Sequence, residues 1–407
     1  MYKEKNKYYL KHPRDQQFYH NLAIITNICG GGHQNWWGYG DPYFKKITCF
    51  HFHICSLGGV SMLTGELTFL YLHFNELSFS IKGTMLSLVP VTVVVIISQI
   101  SSFRKTFKML MIDFMTKIHL CNIEEPDDFI IEQRIKVEKI TRFTCFYNIG
   151  FLLVDWLGWT VLPVVNNYVN QEAIRNRTAR YETNLYYPAF FDWKYSFNGW
   201  LAIHSFSSYC LFFGCLIISI HTSYNFAFIF QIIGHIEIFK YRLQTVLKGK
   251  FTDAEVKERL VKIIKYHDFI LRTFTRMEDT LGLYVTSYYV YNLISDSFNL
   301  YMFMIMKDRI RFTFLGMIVV YMGGLIMISF VLEEIKRKST DISINVYNIP
   351  WEDWSIPNKK TALLVMMRAK EVLQFTGMGG FKAGVAPMMS IVKTTFSIYV
   401  FLKSKSV

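Results

Sequence analysis

NGWLAIHSFSSYCLFFGCLIISIHTSYNFAFIFQIIG, residues 198–234, contains no Asp, Glu, Lys or Arg. As a helix rising ~1.5 Å per residue it would be about 55 Å long, whereas a bilayer core is about 30 Å thick and takes about 20 apolar residues. The run is too long for one crossing. It reads as a membrane helix that continues into water, where His235, Glu237 and Lys240 follow.

Six further runs reach spanning length: 46–72, 79–102, 143–165, 281–306, 311–333 and 384–402. The composition agrees. Of 407 residues, 52% are hydrophobic and 18% charged, less charge than a soluble domain carries. The net charge of +13 raises the question of nucleic acid. Yet the basic residues fall between the apolar runs, and no basic stripe is interleaved with aromatics. They read as the basic loops of a protein whose surroundings are membrane lipid, with no nucleic-acid partner.

Seven spans place the termini on opposite sides. With the amino terminus inside, the inner segments 1–46, 103–142, 235–276 and 334–382 hold 33 of the 44 Lys and Arg. The positive-inside rule therefore places the amino terminus in the cytosol. The first twenty residues are polar and basic, with no signal-peptide core. The sequon Asn176-Arg177-Thr178 lies in 166–197, an outer loop in this scheme, and makes Asn176 a glycosylation candidate. A G-protein-coupled receptor would have the opposite orientation and usually DRY and NPxxY strings, and neither occurs. The chain divides into a cytosolic segment 1–45, spans one to six with helical extensions 46–333, a cytosolic anchor segment 334–383, and a last span with an extracellular end 384–407. The expected fold is an all-α membrane protein whose helices extend into an intracellular bundle. In KERLVKIIKYHDFILRTFTRMEDTLG the residues Leu260, Ile263, Ile264, Phe269, Ile270 and Phe274 recur at near-helical spacing. They fit such a bundle, or helices lying on the membrane surface.

The seven Cys (29, 49, 55, 121, 145, 210 and 215) show no CxxC or metal spacing and read as small core residues. No GxSxG, HExxH or P-loop occurs, so no catalytic group, metal or cofactor is expected. His51, His53 and Glu66 on span one form no metal motif. No internal repeat of a transporter is found, although Pro90 and Pro387 could kink spans two and seven.

The last span carries a stripe: Ser390, Thr394, Ser397, Phe401 and Ser404 are spaced 4, 3, 4, 3 along one helix face. Such hydroxyls often bond their own backbone or join helices. Lys393 is costly within a span unless paired or at an interface.

The carboxy-terminal region resembles that of insect odorant receptors. The residues that carry the resemblance are Tyr347, Asn348 and Trp351, the pair Lys359-Lys360 with the amphipathic 361–372, a Gly- and Phe-containing turn, and the run Lys393-Thr394-Thr395-Phe396-Ser397. KYHDFILRTFTRMED is also similar to a His-containing stretch of that family. The match covers roughly 258–407. Gustatory receptors end in Thr-Tyr, five apolar residues and Gln-Phe, and Leu402-Lys403 stands here instead. The short link between spans four and five, where the co-receptor has a long insertion, marks an odour-tuned subunit.

The resemblance implies a ligand-gated non-selective cation channel, a heterotetramer with the odorant receptor co-receptor, in the plasma membrane of olfactory sensory neurons. The last helix would line the pore. Its hydroxyls would make a wet path, and Phe401 would form an apolar gate ring. A small volatile odorant would bind in the outer half of the membrane among spans two to six. Those halves offer Phe79, Met85 and Leu86, then Phe151, Val154, Asp155, Trp156 and Trp159. Span four offers Ile203, His204, Phe206 and Phe212, and spans five and six offer Tyr291, Phe314, Met317, Ile318 and Tyr321. Asp155 and His204 could pair with each other, or orient a polar odorant group. The alternative is a gustatory-type channel, whose polyol pocket should show more Asp, Glu, Asn and Gln than these faces do.

Overall fold

The computed structural model describes residues 6–29, 37, 45–247, 249–306 and 311–405. Among them the chain is helical. The main helices are α1 (Gln17–Ile28), α2 (Lys45–His73), α3 (Phe79–Phe103), α4 (Lys105–Asp113), α5 (Asp128–Val169), α6 (Phe197–Val246), α7 (Asp253–Ile305), α8 (Arg311–Tyr347), α9 (Ile356–Ala369) and α10 (Val385–Lys405). Side-chain caps fix several starts. Asp127 accepts the Ile130 N–H at 2.9 Å, and Thr252 and Glu255 close a capping box on α7.

Each expected span falls, to within one residue at its ends, in one of the helices α2, α3, α5, α6, α7, α8 and α10. At 42, 50 and 53 residues, α5, α6 and α7 are about two to nearly three times as long as the bilayer core is thick. The 198–234 run indeed continues, as α6, to Val246. The surplus lengths gather at one end into a bundle rather than spreading along a surface. There Leu260, Ile263, Ile270 and Phe274 are buried, and Phe269 packs edge-on to His235 at 5.3 Å; Ile264 is exposed instead. Phe129 stacks on Tyr241 at 4.2 Å, Lys338 pairs with Glu237 at 2.7 Å, and the Asn358 amide donates to Asp253 O at 3.1 Å. These join α5, α6, α8, α9 and α7.

The amino-terminal α1 docks on the same bundle. The Tyr19 hydroxyl donates to the buried Glu138 carboxylate at 2.9 Å, and His119 Nε2 lies 2.6 Å from the same oxygen. His119 Nδ1 accepts the Cys121 N–H, so its Nε2 carries the proton that faces Glu138.

Among the described residues six helices are long and apolar enough to cross a membrane, and α7 is not among them. Its carboxy-terminal half matches the expected 281–306 span, but Tyr284, Tyr289, Asn292, Ser295, Asp296 and Asn299 are buried there. The helix can be this polar because it packs against α3, α6, α8 and α10 rather than lipid. Other helices of the bundle carry exposed apolar side chains, with Leu57 on α2, Phe146 and Val154 on α5 and Val319 on α8.

Pro387 does not kink its helix. It sits in the first turn of α10, where a missing N–H costs no intrahelical bond. Before it, Gly377 donates to Phe381 O at 2.6 Å and Ala383 to Phe375 O at 2.9 Å, closing a tight hairpin. Its tip needs the left-handed backbone of Gly379 and Gly380. Six described cysteines are free and five of these are buried, as expected of core residues; the Cys49 side chain lies outside the described residues.

Candidate ligand-binding cavity

Among the cavities lined by described residues, two adjoin within the membrane bundle. The first holds about 660 Å³ of empty space, mouth included, and is walled by α3, α5, α6, α7 and α8. The second, of about 640 Å³, lies between α2, α3 and α6. They share the wall residues Leu88, Val91, Leu211, Cys215 and Ile218.

The first cavity is the more aromatic. Tyr291 stands edge-on to Tyr288 at 5.0 Å and to Tyr321 at 5.8 Å. Tyr147 stacks on Phe151 at 5.7 Å, and Trp159 and Asp155 complete that side. Space for the rings comes from α8. A Cβ on Gly324 would stand 2.2 Å from the Tyr288 hydroxyl, and one on Gly323 would touch the Phe151 ring. Asn148 ties the walls together by donating to Ser219 O at 2.9 Å.

Of the residues singled out from the sequence, the structure brings Phe151, Asp155, Trp159, Tyr291 and Tyr321 together in this cavity. The rest lie elsewhere. Met85, Ile203, Phe314 and Met317 are buried in the core, and Leu86 and Ile318 are half-buried. Phe79 is exposed against Tyr301, Phe206 is exposed against Tyr187, and Val154 faces outward. Trp156 packs on Phe212 and donates to Ser208 O at 2.9 Å. His204 does not pair with Asp155. Its Nε2 lies 3.1 Å from Thr160 O and its ring stacks on Trp200, because the bundle turns it toward the end of α5. Tyr288, Tyr147, Asn148, Gly323 and Gly324 were missed. Tyr288 lies one turn before Tyr291, and the Gly323-Gly324 pair in an apolar helix signals close approach, so both carried a readable sign.

The connection from α5 to α6 folds back over the bundle. The Asn167 side chain accepts the Glu182 N–H at 2.7 Å and donates to Glu182 O at 2.8 Å, and Asn184 donates to Ser208 Oγ at 2.8 Å. Asn176 is exposed in this connection.

On α10, Met388, Ile391, Thr395 and Tyr399 face the bundle. Ser390, Thr394, Ser397, Phe401 and Ser404 are exposed on the other side, as is Lys393. Ser397 and Ser404 donate to backbone carbonyls one turn back, at 3.0 and 2.8 Å. No group of three or more His, Cys, Asp or Glu among the described residues could hold a metal.

A helical bundle with spanning-length apolar helices and an aromatic internal cavity is the architecture of a multi-pass membrane protein. The 7tm Odorant receptor family model matches residues 83–396, and the chain belongs to that family. A curated relative, Odorant receptor 9a of Drosophila melanogaster, is 31% identical over 90 residues, spanning 21% of this chain and 23% of that relative. The fold is that of the insect olfactory receptor OR5 from Machilis hrabei, with TM-score 0.75 at 14% identity over 95% of this chain and 97% of that one. The same receptor in complex with eugenol matches with TM-score 0.74 at 15% identity, over 95% of this chain and 98% of that one. Members of this family are receptors rather than enzymes.

Proposed function

We propose that the chain is the odour-tuned subunit of a ligand-gated, non-selective cation channel. It assembles with the odorant receptor co-receptor as a heterotetramer in the plasma membrane of olfactory sensory neurons, amino terminus in the cytosol. The observation that carries this reading is the position of α7. One face of it walls the aromatic cavity through Tyr288 and Tyr291, and another holds the start of α10 through Tyr289. A small volatile that fits the cavity better when α7 is displaced would shift the closed–open equilibrium.

In this assembly α10 lines the central pore. The exposed stripe Ser390, Thr394, Ser397 and Ser404 gives each subunit a polar strip, and Phe401 supplies the apolar ring that closes it. Residues 334–383 form part of the cytosolic anchor, and Asn176 is open to glycosylation outside the cell.

The test is whole-cell recording from cells expressing the chain alone and with an insect co-receptor, against a broad odour panel. A cation current that needs both subunits supports the reading. No current to any odour, with both subunits shown at the surface, would overturn it.

A further inference from the structure

The odorant-binding reading leaves open what the first cavity is built to recognise. Its lining contains one carboxyl group, Asp155, and no Lys, Arg or His. Asp155 has no hydrogen-bond or ion-pair partner among the described residues, and the nearest sequence candidate, His204, is engaged at Thr160. The Tyr288, Tyr291 and Tyr321 rings add partly negative π faces.

An ionised carboxyl in such a place lacks the counter-charge that a buried charge requires. A cation that enters with a hydrocarbon body would satisfy both halves of the cavity. The ammonium would pair with the carboxylate and lie against the tyrosine rings, and the body would fill the apolar side lined by Leu88, Val91 and Ile218. From this geometry, and resting on the odorant-receptor reading above, we propose that the ligand class is small monoamines, bound as ammonium ions with Asp155 as the charge partner. A neutral alcohol or ester gives a carboxylate no charge to pair with, so the site discriminates between isosteres that differ only in the amine.

The experiment compares 2-phenylethylamine with its near-isostere 2-phenylethanol. Currents are recorded with the co-receptor, and the melting temperature of the purified full chain is followed with each compound. The wild type should respond to the amine at an EC50 about tenfold or more below that for the alcohol. It should also be stabilised by the amine more than by the alcohol. Asp155→Asn, which keeps the shape and hydrogen-bonding capacity, should abolish that preference. Asp155→Glu should keep the preference. A wild type that favours the alcohol, or an amine preference that survives Asp155→Asn, overturns the proposal. A channel that opens to esters or alcohols but not to amines overturns the amine assignment alone. If no compound gives a current, the melting shifts still decide the amine assignment, and the channel reading fails separately.

Discussion

The Tyr289 hydroxyl accepts the Gly384 N–H at 3.1 Å and stands 2.6 Å from Ser329 Oγ. Ser329 itself donates to Leu325 O at 2.7 Å, so Tyr289 is the donor to Ser329. The result is a directional chain, Gly384 to Tyr289 to Ser329 to Leu325, running from the start of α10 through α7 into α8. Glu333 supports it by accepting the Val385 N–H at 3.2 Å. Removing one hydroxyl breaks the chain at its centre and leaves a buried N–H unmatched, a cost of about 1–3 kcal/mol. Tyr289→Phe should move the odour concentration–response curve to higher concentration and lower the maximal current, with surface expression retained. An unchanged curve would separate this latch from gating.

Phe401→Ala should leave a standing current. If Phe401 closes the pore, removing its ring widens and wets the constriction, so ligand-free conductance and permeability to large cations should both rise. Recording from co-expressing cells before odour is applied reads this directly. A tight ligand-free channel would move the gate elsewhere on α10.

Gly324→Ala should damage the cavity from its α8 wall. The added methyl would stand 2.2 Å from the Tyr288 hydroxyl, so the ring must move. The expected loss of apparent odour affinity is about tenfold. Surface labelling should stay near wild type, and a loss of labelling in step with the response would mean a folding defect instead.

His267 gives the bundle beyond the membrane a pH dependence. The imidazole stacks on Phe239 at 5.0 Å, and burial lowers its pKa below the ordinary 6.5, with Arg368 adding to the effect. Below pH about 6.5 the unfolded chain therefore takes up a proton that the folded chain resists. This contribution to stability is intact above that pH and lost as pH falls. His267→Phe keeps the stacked ring and should flatten the fall in melting temperature between about pH 7 and pH 5. A parallel fall in both proteins would assign the acid sensitivity to other groups.

The spans were legible because clustered hydrophobicity is a one-dimensional signal. The run 79–102 became α3, Phe79–Phe103, within a residue. The bundle beyond the membrane was legible from the spacing of Leu260, Ile263, Ile270 and Phe274. The cavity was much less so. A membrane helix is apolar on every side, so periodicity does not say which face meets lipid. Val154 and Asp155 are adjacent in sequence, yet one faces outward and the other lines the cavity. The Asp155–His204 pairing failed for the same reason, since residue type does not fix rotation about the helix axis. On α10 the polar stripe is exposed, but so are Met389, Phe396 and Val400 outside it.

The polarity of α7 bears on how the receptor is made. A segment carrying Asn292, Asp296 and Asn299 in its membrane half partitions poorly into lipid by itself. It becomes a membrane helix by entering a space already bounded by neighbouring helices. The cavity wall and the α10 latch both belong to this segment, so both appear at the same step of biogenesis. A chain stalled before that step would be inserted and helical, yet it would have neither a place for ligand nor a hold on its last helix.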